Sequence, residues 1–237
     1  MRVETGRAGR HGLISRLLSD ALDAVTTSGE TPALLDCGGG SGTYSVPLAV
    51  AGADVTVVDI SADALATLSH RAADAGVAAR VHPLQGDVET LREVIGEHSY
   101  DLVLAHGILE AVDDVAGTLA GIAAAVRPGG LVSVLVGNPA AAVLARALAG
   151  EPHAALAELR ELEARSRPED IERLCAAAGL VVDARHGIGT FSDLVPGVAL
   201  DAPGARDAVD SLDAEAADRA PFVDIAARVH LIVRKPA

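Results

Sequence analysis

Residues 34–42 read LLDCGGGSG, and this stretch decides the fold. Two leucines and an acid lead into four glycines within five positions: Gly38, Gly39, Gly40 and Gly42. The apolar half has the character of a short buried strand. The glycines have the character of a turn whose backbone comes close to something else. Without a Cβ the chain can approach a ligand to contact distance and adopt positive φ at no steric cost. The following TYSVPLAVAG (43–52) reads as a helix with Pro47 in its first turn and Gly52 at its end. The free N–H groups at the start of such a helix suit a carboxylate or a phosphate.

Outward from this turn, strands and helices alternate. DVTVVDIS (54–61) is a strand too apolar to be half exposed. SADALATLSHRAADAG (61–76) is a helix with Ser61 as N-cap and Gly76 as its stop. ARVHPLQGD (79–87) and YDLVLAHG (100–107) are strands, and DDVAGTLAGIAAAVRPGG (113–130) is a helix ended by Pro128 and two glycines. LVSVLVGN (131–138) is another buried strand, and upstream HGLISRLLSDALDAV (11–25) has leucines at helical spacing. This is the rhythm of βαβ units, hence an α/β, Rossmann-like domain with a mostly parallel sheet and helices on both faces.

The rhythm breaks after Asn138. PAAAVLARALAG (139–150) and HAALAELRELEARS (153–166) are two helices with no strand between them. RPEDIERLCAAAGL (167–180) is a further helix, VVDARHG (181–187) a strand, and residues 201–230 mostly helix or loop. RVHLIVRKP (228–236) closes the chain as a strand, expected antiparallel because its return route is irregular. We expect one domain over 1–237, with a ligand-binding core at about 31–138. A small helical lid insertion with substrate elements is expected at about 139–170 and 190–222.

Ligands of open α/β sheets lie outside the carboxyl ends of the strands. The dinucleotide pattern G-x-G-x-x-G, started at Gly38, needs glycine at position 43, which is Thr43. The glycines fall at 38, 40 and 42 instead, and Asp36 stands two residues before the first. A carboxylate there is badly placed beside a pyrophosphate and well placed beside a cation. S-adenosylmethionine (SAM) offers a sulfonium and an ammonium, with a carboxylate for the helix-end amides. The pattern D-x-G-x-G-x-G therefore favours SAM over a nicotinamide cofactor. Asp59, 17 residues past Gly42, can accept hydrogen bonds from both ribose hydroxyls, and Ile60 adjoins it in the cofactor-binding set. Asp87 is placed for the adenine amino group with the Val88 amide near the ring, or as a plain N-cap. His106 and Gly107 would line the floor near the sulfonium, although His106 reads equally well as a structural histidine.

Composition narrows the partners. The 237 residues are half hydrophobic and 2% aromatic, with a formal net charge of −14, and Lys235 is the only lysine. Long-range repulsion of phosphate backbones and scarce stacking platforms disfavour nucleic acid. Cys37 and Cys175 give neither a disulfide framework nor a metal spacing, so no metal is expected. No apolar run is long enough to span a membrane, and none follows Arg2, Arg7 and Arg10 as a signal peptide would require. A cytoplasmic protein without a membrane partner is the expectation. Methyl transfer from a sulfonium is an in-line displacement that needs no enzyme nucleophile, and a general base only for a poor acceptor. No catalytic residue is fixed on these grounds; the candidates are Tyr44, His106 and His186. Arg185, Arg228 and the cluster Arg2, Arg7, Arg10 and His11 are candidate cations for an anionic acceptor.

In this order and spacing, LLDCGGGSG, VTVVDIS, QGDV, DLVLAHGILEAV and VRPGGLVSVLVGN resemble the motifs of the class I SAM-dependent methyltransferases, over about residues 34–138. The resemblance implies a seven-stranded sheet whose last strand is antiparallel. It implies Gly38 and Gly40 against the methionine part of SAM, Asp59 on the ribose, Asp87 and Val88 on the adenine, and His106 contributing from the fourth strand. More narrowly, AHGILEAVDD, GNPAAAVLARALAG, RPEDIERLCAAAGL, GIGTFSD and RVHLIVRKP are similar to segments of the tRNA 5-carboxymethoxyuridine methyltransferases, which esterify a carboxylate on a wobble uridine.

That branch carries a lysine-rich run after the helix matching VLARALAG, where this chain reads EPHAALAELRELEARSRPED with acids leading. It also carries an arginine where this chain has Gly189, and a guanidinium is the natural clamp for a carboxylate. The expectation is a SAM-dependent methyltransferase with a small-molecule acceptor preferred to tRNA. A non-catalytic SAM-binding protein and a nicotinamide-dependent oxidoreductase are the alternatives from other classes.

Overall fold

The structure is a computed structural model describing residues 5–26, 29–96, 98–162 and 165–237, with side chains described from Gly12 onward. Its strands are β1 Ala33–Cys37, β2 Asp54–Asp59, β3 Val81–Gln85, β4 Tyr100–His106, β5 Val126–Gly137, β6 Val181–Ile188 and β7 Arg228–Arg234. Its helices are α1 Thr5–Val25, α2 Ser45–Val50, α3 Ala62–Asp74, α4 Leu91–Ile95, α5 Val115–Ala125, α6 Pro139–Leu148, α7 Pro152–Glu161, α8 Pro168–Ala177, α9 Ala205–Ala216 and α10 Phe222–Ile225.

The strands form one seven-stranded sheet in the order β3-β2-β1-β4-β5-β7-β6. β1 pairs in parallel with β2 and β4, and β2 with β3. β7 runs antiparallel to β5, as the irregular return suggested. The Gly129 amide near the start of β5 donates to the Lys235 carbonyl just past β7, while Asn138 beyond β5 donates to Ala227 just before β7. The strand order reverses between β1 and β4, so the carboxyl ends of these two strands flank the switch point.

Burial explains why the central strands are apolar throughout rather than alternating. Leu34, Leu35 and Cys37 on β1, Val55, Val57 and Val58 on β2, and Leu102 to Ala105 on β4 are all fully buried. A sheet covered on both faces leaves no strand position for water. Each buried Leu or Val contributes about 1.5–3 kcal/mol over an exposed one. On α1, Ile14, Leu18, Ala21, Leu22 and Val25 are buried at helical spacing.

Two boundaries differ from the reading of the sequence. α1 begins at Thr5, upstream of residue 11. The run Arg127–Gly130, expected as a helix stop, belongs to β5. Tertiary pairing overrides the turn character of Pro-Gly-Gly here. Arg127 forms an ion pair with Asp101 and donates to the Val25 carbonyl, and Gly129 and Gly130 hydrogen-bond to Lys235. A Cβ on Gly130 would stand 2.9 Å from the Asp101 carbonyl oxygen, so only glycine fits. The single lysine serves the fold: its Nζ, at Lys235, donates to the carbonyls of Ala123 (2.7 Å) and Val126 (2.8 Å) at the end of α5.

The chain divides into two compact units. One comprises the residues up to Arg16, Leu135–Ile171 and Arg185–His230; the other comprises Leu17–Val134, Glu172–Ala184 and Leu231–Ala237. The residues expected as lid and substrate elements, 139–170 and 190–222, fall in the first unit, and the glycine turn in the second.

Candidate functional site

Sheet register brings the expected cofactor residues into one row. Cys37 pairs with Val58 on one side and Ala105 on the other. Gly38, Asp59 and His106 therefore leave the sheet side by side. Asp59 pairs with Gln85, so Gly86 and Asp87 leave it next along the row. Residues far apart in sequence meet at the carboxyl edge because four parallel strands end there together.

The turn itself is held from below. Ser45 Oγ, fully buried at the first position of α2, donates a short hydrogen bond to Asp36 Oδ2. Asp36 is 3% exposed and lies beneath the glycines, so it acts on the turn and its electrostatics rather than offering an open carboxylate. Burial raises its pKa from 3.8 to about 6, the Ser45 hydrogen bond opposes the rise, and the nearby Asp59 charge adds to it. Gly38, Gly40 and Gly42 have φ of 71°, 54° and 77°, in the left-handed region. Gly39, at an unspecified position of D-x-G-x-G-x-G, fits tightly over Asp36: a Cβ there would meet Asp36 Cγ and Oδ2 at 2.5 Å. The resulting bare concave backbone is a cradle that side chains would fill.

Asp59 closes the cradle. Its Oδ2 accepts from the Gly40 amide at 2.9 Å and its Oδ1 from the Ser61 amide at 2.8 Å. Each carboxylate oxygen keeps a second lone pair for a hydroxyl. Ile60 beside it is 72% exposed, an apolar surface next to the acid, of the kind a nucleoside covers. Asp87 caps the short 3-10 turn Val88–Thr90 by accepting from the Glu89 amide at 2.9 Å, while its side chain stays exposed and Val88 is buried. The capping and adenine readings of Asp87 are thus compatible. His106 Nε2 is hydrogen-bonded to Ser133 Oγ at 2.8 Å, and its ring meets Tyr44 edge-on with centroids 5.1 Å apart. Tyr44 and His106 are therefore brought together at the row.

His186 belongs to the first unit. It stacks on the fully buried His230 with centroids 5.6 Å apart, and burial lowers its pKa, with Asp218 opposing. Arg185 does not stand ready for an anion: it donates to Asp224 Oδ1 and Glu169 Oε1, both at 2.9 Å. Arg228 opens β7 and is exposed. Arg2 lies outside the described residues, as do the side chains of Arg7, Arg10 and His11. Cys37 and Cys175 are buried and free, and burial pushes both thiols upward, so neither is a ready nucleophile. Among the described residues no group of three or more His, Cys, Asp and Glu is arranged to hold a metal ion, and no helix is long and apolar enough to cross a membrane.

Sequence reasoning missed three anchoring side chains. Ser45 carried no signal of its own within the turn. Asn138, before Pro139, has the form of an N-cap, and it does cap α6 at Ala140 while its amide donates to Asp224 and Ala226 carbonyls. Asp213 on α9, 5% exposed, accepts from the Phe191 and Ser192 amides and fixes the loop after β6.

Residues 34–130 match the family described as "Methyltransferase domain". A ubiquinone biosynthesis O-methyltransferase of Methylobacterium sp. (strain 4-46) is 34% identical over 161 residues, which are 65% of this chain and 62% of the relative. The tRNA 5-carboxymethoxyuridine methyltransferase of Escherichia coli (strain K12) is 25% identical over 216 residues, 86% of this chain and 80% of the relative. The CcbJ methyltransferase structure from Streptomyces caelestis superposes with a TM-score of 0.62 at 18% identity, covering 97% of this chain and 90% of that one. The chain thus spans a little under two thirds of the length of the ubiquinone-biosynthesis relatives it matches.

Proposed function

We propose that this chain, which carries a methyltransferase domain on the class I methyltransferase fold, is a SAM-dependent methyltransferase acting on a small-molecule acceptor. The observation that carries the reading is the Gly40–Asp59 link between the turn after β1 and the end of β2, beside the switch point. It joins a bare glycine cradle to a carboxylate with lone pairs to spare, which is the geometry a ribose beside a cationic amino-acid tail needs. The match of residues 34–130 to the methyltransferase family supports it.

The residues divide the work. The Gly38–Gly40 backbone takes the amino-acid end of the cofactor, and Asp36 beneath it adds negative potential. Asp59 takes the ribose, Ile60 and Val88 border the adenine, and Asp87 faces its amino group. Tyr44 and His106 line the floor where the methyl group is presented. When bound, SAM supplies a methyl group already activated on sulfur. The chain's own contribution is therefore orientation and exclusion of water, which can lower a barrier by about 7–11 kcal/mol. Expectations of a single domain with its acceptor elements at about 139–170 and 190–222, and of a cytoplasmic setting, belong to this proposal.

A small acceptor is favoured over RNA by the −14 charge and by Gly189, which stands where a carboxylate clamp would be and has φ 73°, unsuited to an arginine. The likeness to the tRNA 5-carboxymethoxyuridine methyltransferase over 86% of the chain supports the second reading, methylation of a wobble uridine. Labelled SAM incubated with the protein and separated small-molecule and RNA fractions tests both. Label in small molecules supports the first reading, and label in RNA replaces it with the second. SAM binding without transfer to any fraction would point to a non-catalytic SAM-binding protein. Absence of SAM binding in a calorimeter would end all three.

A further inference from the structure

The members of the turn from Gly38 to Gly42 are held one by one, by side chains and backbone of the same compact unit. The Gly38 amide donates to the Val58 carbonyl at 2.7 Å, and a Cβ on this glycine would stand 2.8 Å from Ile108 Cδ1. Gly39 fits over Asp36, and the Gly40 amide donates to Asp59. The Gly42 amide closes back on the Gly39 carbonyl at 3.0 Å, and a Cβ on Gly42 would collide with Leu68 of α3. Ser41 is the one turn member with a side chain, and it stands between two glycines in the left-handed region. Its hold comes from the next turn of the same α3 face: Arg71 Nη1 donates to the Ser41 carbonyl at 2.9 Å and reaches the Ser41 hydroxyl at 3.4 Å.

The hold on Ser41 differs in kind from the others. Gly39 and Gly42 are fixed by close packing, whereas Arg71 is an exposed arm that crosses 30 positions of sequence to meet a backbone carbonyl. Burial does not require an arginine there. A cation in the last turn of α3 suits the helix dipole, and that role needs no partner in the glycine turn. Freedom left in a binding turn is removed when a ligand settles on it, and the cost is subtracted from affinity. A hydrogen bond that removes this freedom beforehand therefore raises affinity without touching the ligand.

We propose that Arg71 is a positioning residue for the cofactor, holding the Ser41 carbonyl so that the turn already has the shape that receives the amino-acid end of SAM. This rests on the turn being the SAM cradle. Arg71 acts only through Ser41, so it sets cofactor affinity and takes no part in the transfer.

Two variants of the full chain test it, each read in two ways. Arg71→Met keeps the stem and removes the donor. Arg71→Lys keeps a cation and a donor, and since a single guanidinium nitrogen makes the contact, an ammonium can replace it. In calorimetry Arg71→Met should bind SAM about three- to tenfold more weakly than wild type, and Arg71→Lys should stay within about twofold of wild type. In hydrogen exchange without cofactor, the segment 38–42 should exchange about threefold or more faster in Arg71→Met than in wild type. A role confined to the helix end would lower the melting temperature and move neither readout. Unchanged SAM affinity in Arg71→Met, unchanged exchange of the turn, or a lysine variant as weak as the methionine one overturns the proposal. Arg71 is exposed, so both variants are expected to keep the fold. Wild-type protein that binds no SAM sinks the cradle reading itself, whereas wild-type binding that Arg71→Met leaves intact sinks only the positioning role.

Discussion

Gly39 rests on Asp36: a Cβ at position 39 would stand 2.5 Å from the carboxyl carbon and 2.8 Å from Val57 Cγ1. Neither neighbour can retreat, because Asp36 is held by Ser45 and Val57 is fully buried in β2. Gly39→Ala is therefore expected to lift the turn. Overpacking of this kind costs about 1–3 kcal/mol, and SAM affinity should fall at least tenfold. Thermal melting and calorimetry read the two effects. An alanine variant with unchanged SAM affinity would show that the cradle is not where the cofactor lies.

The Asp36 carboxyl predicts a pH dependence. Burial raises its folded pKa to about 6 from 3.8, so between those values the unfolded chain loses the proton first. The stability this group contributes is full below pH about 4 and is lost as pH rises through about 6, a difference of about 3 kcal/mol. Asp36→Asn should flatten that part of the stability curve measured by denaturant titration. A wild-type profile from pH 4 to 7 that is parallel to the variant's would contradict the burial argument.

The strands, the glycine turn and Asp59 were legible in the sequence because each is encoded locally. Runs such as VTVV have no polar face, and DCGGGSG has no other economical use in a strand-to-helix turn. What was not legible depends on contacts between distant residues. Position 39 is unspecified in D-x-G-x-G-x-G, and only the contacts with Asp36 and Val57 show why it is glycine. Pro128 and its two glycines look like a breaker, but pairing with the segment after β7 makes them strand. Asp213 reads as one more acid on an acidic helix, yet its partners are 21 and 22 residues away. Arg185 looked like a free cation and is held by Asp224 and Glu169.

Asp59→Ala removes the acceptor of the Gly40 and Ser61 amides and, on the proposed reading, the partner of the ribose. SAM affinity should fall about 10- to 100-fold, the range for one or two charged hydrogen bonds. Asp59→Asn keeps the shape and one acceptor oxygen, so it should lose less. If calorimetry finds both variants binding SAM as the parent does, the ribose is held elsewhere.

Lys235 offers a test of fold energetics apart from the site. Its ammonium donates to the Ala123 and Val126 carbonyls at the end of α5, where the helix dipole also favours a cation. Lys235→Met keeps most of the stem's packing and leaves two carbonyls without that donor. Loss of a charged hydrogen bond of this kind costs about 1.5–3 kcal/mol. A second expectation separates this role from a surface charge effect: the loss should persist in high salt, because a part-buried contact is screened much less than an exposed one. A stability difference between Lys235→Met and wild type that vanishes at 1 M salt (~3 Å screening length) would assign the lysine to the surface instead.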